Sequence, residues 1–151
     1  MLRLGLDRGV QKKEEFPMIK LIVGGKGSGK TKAMIEMINE SAKTTPGNIV
    51  CIEKSMKLTY DVSHAVRLID VDEYKITGYD ALYGFVAGIL AGNYDIVEVY
   101  VDGILKIGNR DLEGLGKVLA QLDAVIGDNV KLVVTVSDDM ENLPESVKKY
   151  L

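Results

Sequence analysis

The sequence predicts an α/β domain of three layers, built around a mostly parallel sheet of about five strands. Short apolar runs alternate with amphipathic segments of about 10 to 15 residues, which is the pattern of βαβ units. The apolar runs are continuous, as in strands that are buried on both faces. A glycine-rich segment joins the first run to the first helical pattern. With 151 residues, the chain is long enough for one domain with a substantial core.

Each predicted element follows from its local pattern. The predicted strands are continuous apolar runs, and they cover 18–23, 48–53, 65–71, 96–102 and 130–136. The predicted helices carry apolar residues at spacings of three and four, and they cover 30–41, 78–92, 111–126 and a short stretch within 144–151. Gly127 suits the end of the helix that precedes it, and Pro46-Gly47 favours a break before the second strand.

Composition excludes several classes of protein. The formal net charge is −3, so no overall positive field favours nucleic acid. The single cysteine, Cys51, excludes an internal disulfide framework and a cysteine-based zinc cluster, and its apolar neighbours predict a place in the core. No apolar run approaches the ~20 residues that span a bilayer, and no secretory signal is present. We therefore expect no membrane contact and a cytoplasmic protein.

One segment predicts phosphate binding, because it fits the pattern G-x-x-x-x-G-K-[ST] between a predicted strand and a predicted helix. Its residues are Gly24, Gly25, Lys26, Gly27, Ser28, Gly29, Lys30 and Thr31. Glycines permit the turn, and the N–H groups of the loop and of the helix N-terminus converge on an anion. In this arrangement Lys30 reaches the β- and γ-phosphates, and the Thr31 hydroxyl holds Mg²⁺. The alternative is a glycine-rich turn that binds nothing.

An acidic residue, Asp102, ends the fourth predicted strand. The carboxyl ends of parallel strands share one edge of the sheet, so the Asp102 carboxylate would lie beside the glycine loop. There it would hold Mg²⁺ directly or through water. Apolar strands also end in aspartate at ordinary turns, and a turn residue is therefore the alternative.

The glycine loop Gly24–Thr31 resembles the Walker A loop of P-loop NTPases, and Asp102 resembles the aspartate of their Walker B strand. The elements after the loop, with a polar segment around His64, are similar to the core of thymidine kinases and to a minimal RecA-like core. The resemblance implies the three-layer P-loop NTPase fold, with ATP and Mg²⁺ as ligands. The zinc-binding cysteines and lasso segment of thymidine kinases are absent from the sequence. The N-K-x-D string with which GTPases recognise guanine is absent too.

The same resemblance implies that ATP hydrolysis is slow or needs a partner. Many ATPases of the RecA-like and AAA-like branches carry a water-activating glutamate directly after the Walker B aspartate, and this chain has Gly103 there. The polar residues that we consider as substitutes are Glu98, Ser137 and Asp138. In the RecA-like branch, a polar residue at a strand end comparable to Ser137 senses the γ-phosphate; the alternative is a polar exit from the strand.

Several other polar residues have both a structural and a functional interpretation. Arg110 follows Asp102 in a Gly-Asn loop, and it is either a solvated loop residue or an arginine finger at the mouth of the site. Glu98 lies within an apolar strand, so either its face is partly open or it pairs with a Lys or Arg. The acidic residues at 70, 72 and 73 predict a solvated loop, with a metal site as the alternative. His64, the only histidine, predicts a loop or partly buried position.

Residues 1–17 show no regular period, and they include a charged stretch at 11–15 before Pro17. We expect a poorly ordered N-terminal extension at 1–17 and a single nucleotide-binding domain at 18–151. A functional basic arm is the alternative, although its four Lys and Arg residues are widely spaced.

These patterns predict a protein that binds a nucleoside triphosphate, with slow or partner-dependent hydrolysis. One alternative is a non-enzymatic module whose nucleotide-bound surface is recognised by a protein partner or by a second copy of the chain. The other alternative is a phosphotransferase for a small acceptor such as a nucleoside or nucleotide.

Overall fold

The computed structural model describes residues 18–55, 58 and 61–151, and the expectation for residues 1–17 lies outside this part of the chain. The strands are β1 (Ile19–Gly24), β2 (Asn48–Glu53), β3 (Arg67–Asp70), β4 (Ile96–Val101) and β5 (Lys131–Ser137). The helices are α1 (Lys30–Thr44), α2 (Tyr79–Gly92), α3 (Ile104–Ile107), α4 (Leu112–Ile126) and α5 (Glu145–Lys148), with a 3₁₀ turn at Met140–Asn142.

The five strands form one sheet in the order β1-β5-β4-β2-β3, and every neighbouring pair is parallel. This confirms the predicted α/β fold with a parallel sheet of five strands. The chain crosses from β1 to β2 with α1 on one face, and it returns from β3 to β4 and β5 with α2 and α4 on the other. Right-handed crossovers in opposite directions place their helices on opposite faces, which produces three layers.

Each face of the sheet has its own core. Under α1, the buried Met34 and Ile38 pack with Cys51 of β2, Tyr100 of β4 and Val133 of β5. On the opposite face, a larger cluster joins α2 and α4 to alternate strand residues; it includes Leu82, Val86, Leu119, Leu122, Val99, Leu132 and Val134. The predicted core position of Cys51 is confirmed, since its side chain is fully buried.

Some element bounds differ from the sequence prediction for local reasons. Helix α1 continues three residues beyond the predicted end, because the Thr45 N–H still donates to the Ser41 carbonyl at 2.8 Å before Pro46 stops the helix. Strand β3 is shorter than predicted, since Val66 belongs to a turn that is closed by its N–H bond to Ser63 at 3.1 Å. The four-residue helix α3 was not predicted, because it is too short to show a helical period.

Of the helices in the described part of the chain, none has the length and apolar character needed to cross a bilayer.

Candidate functional site

The glycine loop connects β1 to α1, and two of its positions, Gly24 and Gly29, require glycine for physical reasons. Gly29 precedes the first residue of α1 with φ of 89°, a left-handed conformation that side chains disfavour. A Cβ on Gly24 would collide with the hydroxyl of Ser28. The turn is closed by the Ser28 N–H, which donates to the Gly25 carbonyl at 3.2 Å.

The Lys30 side chain folds back over this loop. Its ammonium donates to the Gly25 carbonyl at 2.8 Å and approaches the Ser28 hydroxyl at 3.5 Å. Only 8% of the Lys30 residue is exposed, so its charge is held at the loop rather than in bulk solvent. An ammonium has three donors, and the two contacts leave it able to bind a further anionic oxygen.

The structure brings Thr31 and Asp102 together at the same edge of the sheet. The Thr31 hydroxyl donates to Asp102 Oδ1 at 3.2 Å. Asp102 directly follows β4, while Thr31 lies in the first turn of α1, and the two strands that lead to them are separated by β5. The predicted placement of the Asp102 carboxylate beside the glycine loop is therefore observed.

Thr135 of β5 is a third member of this contact that sequence reasoning missed. Its hydroxyl donates to Asp102 Oδ1 at 2.8 Å and accepts the Gly103 N–H at 2.7 Å. Only 1% of Thr135 is exposed. The only sequence signal was one hydroxyl inside an apolar strand, and threonine is too common in strands for that signal to indicate a site.

A second missed residue is Glu53, the last residue of β2. The pairing of Ile52 with Val101 aligns Glu53 with Asp102 on the neighbouring strand. Neighbouring strands lie about 4.8 Å apart, so the two acidic residues are close at the sheet edge. Glu53 is 1% exposed, and its Oε1 accepts the Leu58 N–H at 3.1 Å.

Glu98 lies away from the glycine loop and Asp102, which removes it from the nearby substitutes. It lies four residues before Asp102 on β4, about 13 Å along a strand. Its carboxylate accepts the Tyr100 hydroxyl at 2.6 Å and the Thr45 hydroxyl at 3.4 Å, and Thr45 follows the end of α1 that is remote from the glycine loop. Lys131 is its partner in the register of β5. Burial and this hydrogen bond raise the pKa of Tyr100 above its ordinary range.

The end of β5 borders the glycine loop. Gly24 aligns with Ser137 in the sheet and forms an isolated bridge with Asp138. The Asn142 amide donates to the Asp138 carboxylate at 2.8 Å. This bond, the bond from the Asp139 N–H and the charge of Arg110 hold the pKa of Asp138 below its usual range. Ser137 and Asp138 therefore lie where the sequence placed them, and Arg110 is close enough to Asp138 to contribute electrostatically.

The acidic cluster at the end of β3 is partly structural, which corrects the expectation of a solvated loop. Asp70 is only 8% exposed, and its Oδ1 accepts the N–H groups of Ser55 at 2.9 Å and Asp72 at 3.0 Å. Asp72 is exposed, and its salt bridge with Lys54 at 2.6 Å lowers the pKa of its carboxyl. His64 is exposed in the turn before β3, in agreement with a loop position.

The donor set suits Mg²⁺ better than a metal held by protein alone. Within residues 18–55, 58 and 61–151, no three His, Cys, Asp or Glu side chains form a metal-binding group. Mg²⁺ needs fewer protein ligands, because it keeps several waters and takes oxygens from a bound phosphate. The hydroxyl of Thr31 and the carboxylate of Asp102 offer hard oxygens at one point beside the loop.

No protein-family model and no curated protein matches this chain. Its function is therefore inferred from the geometry of the glycine loop and of the strand ends beside it.

Proposed function

We propose that this protein binds ATP with Mg²⁺ at Gly24–Thr31 and Asp102, and that it hydrolyses ATP slowly or only with a partner. The contact between Thr31 and Asp102 at 3.2 Å carries the proposal. It joins a loop whose sequence fits phosphate binding to an acid whose sequence position fits metal binding.

Each part of the site has a distinct task in this proposal. The N–H groups of the glycine loop and of the first turn of α1 bind the phosphate oxygens. Lys30 supplies a positive charge to the β- and γ-phosphates. Its ammonium then donates to a phosphate oxygen in place of the Gly25 carbonyl. Thr31 and Asp102 would hold Mg²⁺, which when bound neutralises charge between the phosphates.

Slow hydrolysis follows from what surrounds Asp102. Gly103 offers no side chain to orient a water molecule. The aligned carboxylate, Glu53, is almost fully buried and accepts the Leu58 N–H at 3.1 Å, so it is engaged by the chain itself. A partner or a second copy that supplies the missing group would raise turnover.

The decisive test is thermal unfolding of the whole protein with and without ATP and Mg²⁺. A ligand present at 100 times its Kd stabilises the folded state by about 2.7 kcal/mol, so the wild-type Tm should rise. Lys30→Ala should remove most of that rise. Lys32→Ala is the matched control, since Lys32 is exposed in the same turn of α1 and should keep the full rise.

The proposal fails if ATP, ADP, GTP and GDP at millimolar concentration all leave the Tm of the folded wild type unchanged. Release of phosphate from ATP separates an ATPase from a nucleotide-dependent interaction module. Transfer of phosphate to a panel of nucleosides and nucleotides identifies the phosphotransferase alternative.

A further inference from the structure

Two hydroxyl groups from different parts of the chain converge on a single oxygen of Asp102. Thr31 of α1 donates to Oδ1 at 3.2 Å, and Thr135 of β5 donates to the same oxygen at 2.8 Å. The shorter of these bonds comes from the side chain that is 1% exposed. The orientation of the carboxylate is thus set from within the sheet as well as from the loop.

The Thr135 hydroxyl has little freedom to point elsewhere. Its oxygen accepts the Gly103 N–H at 2.7 Å, which directs its proton away from Gly103 and toward Asp102. Thr135 is paired with Ile22 of β1, and the register of β5 with β4 extends to the residue before it, Val134. The single proton of this buried hydroxyl and one of its two lone pairs are thus engaged.

We propose that Thr135 is a positioning residue that sets the metal preference of the site: together with Thr31 it occupies Oδ1, so that Oδ2 is the Asp102 oxygen left for a cation. This inference rests on the proposed function. A single carboxylate oxygen suits Mg²⁺, which is small, octahedral and retains water. Ca²⁺ takes six to eight oxygens and commonly binds both oxygens of a carboxylate. Thr135 therefore favours Mg²⁺ over Ca²⁺ without touching either ion.

The test measures the Kd for ATP in EDTA, in MgCl₂ and in CaCl₂, using the full chain. The gain from each metal is the ratio of the Kd in EDTA to the Kd with that metal. Thr135→Val removes the hydroxyl at nearly constant volume, and Thr135→Ala is a second hydroxyl-free variant in case valine prevents folding. Thr135→Ser keeps the hydroxyl. Val133→Ala is the matched control, because Val133 is buried on the same face of β5 and lies two residues earlier.

We expect the ratio of magnesium gain to calcium gain to fall by about three- to tenfold in the hydroxyl-free variants, as for the loss of one hydrogen bond. Thr135→Ser and Val133→Ala should keep the wild-type ratio. An unchanged ratio in the hydroxyl-free variants, or an equal fall in Val133→Ala or Thr135→Ser, would overturn this inference alone. A wild type that binds no ATP under any of the three conditions would overturn the proposed function as well.

Discussion

The Thr31 hydroxyl lies 3.2 Å from Asp102 Oδ1, although the two residues are separated by 71 positions in the sequence. The contact ties the first turn of α1 to the end of β4 across the intervening strand β5. In a parallel sheet, every strand delivers its carboxyl end to the same edge, and the helix that follows β1 begins there too. The fold therefore places a hydroxyl and a carboxylate together beside a loop rich in N–H donors.

Asp102→Asn should weaken ATP binding in the presence of Mg²⁺ far more than in EDTA. The substitution keeps the shape of the side chain but removes the negative charge that faces the cation. Asp95→Asn is the control, since Asp95 is exposed just before β4, at the opposite edge of the sheet. Calorimetric titration with ATP in both conditions measures the effect. Equal losses with and without Mg²⁺ would show that Asp102 only shapes the turn.

ATP turnover by the isolated protein should be well below the 1–100 s⁻¹ typical of kinases, because Gly103 orients no water. Glu53→Gln should leave any residual phosphate release unchanged, because the Glu53 carboxylate is buried and accepts the Leu58 N–H at 3.1 Å. Glu98→Gln should leave that release unchanged, because Glu98 contacts Thr45 at the remote end of α1. Lys30→Ala provides the blank. A large loss of phosphate release in either Glu53→Gln or Glu98→Gln would show that the chain carries its own base.

Arg110→Ala should weaken ATP binding more than ADP binding, by about three- to tenfold in the ratio of the two Kd values. Arg110 adds its charge beside Asp138, which borders the glycine loop, and a cation there favours the additional phosphate. Arg67→Ala is the control, because Arg67 is exposed on the edge strand β3. Competition binding with ATP and ADP gives both Kd values. An identical loss of affinity for ATP and for ADP would show that Arg110 does not interact with the additional phosphate.

Gly108→Ala should destabilise the empty protein by about 1–3 kcal/mol, because the new Cβ would overlap the ring of Tyr79. Tyr79 is held in place by a hydrogen bond from its hydroxyl to the Asp111 carbonyl at 2.9 Å. Gly88→Ala is the opposite case: Gly88 is exposed in α2 with no atom near its Cβ position, so alanine should stabilise by about 0.5–1 kcal/mol. Urea unfolding measures both changes. A neutral Gly108→Ala would show that the Tyr79 ring moves aside without cost.

Local patterns in the sequence were sufficient for most elements. Strand β2 was predicted with its observed bounds, because a continuous apolar run that is ended by turn residues leaves little choice of where the strand begins and ends. The glycine loop was predicted because glycine is needed at Gly24 and Gly29 for reasons that act within a few residues. Helix α3 was missed, since four residues show no period.

The acidic residues show where local patterns were insufficient. Glu98 and Glu53 are both buried glutamates on neighbouring strands, and the predicted bounds place Glu53 at the end of its strand and Glu98 inside its strand. Only the register shows that Glu53 aligns with Asp102 at the carboxyl edge. Glu98 instead lies within its strand and accepts the Tyr100 hydroxyl. Strand bounds predicted from the sequence indicate which end of a strand a glutamate occupies, but they do not indicate which residue lies beside it on the next strand.

The sequence by itself determined the position of the glycine loop, the parallel sheet and the acid after β4, because each depends on residues that are close along the chain. The tertiary structure decided what surrounds that acid. The order β1-β5-β4-β2-β3 inserts β5 between the loop strand and the Asp102 strand, and this insertion brings the Thr135 hydroxyl to Asp102. Strand order is fixed by how the helices pack on the two faces of the whole sheet, so no local pattern around Thr135 could have revealed its partner.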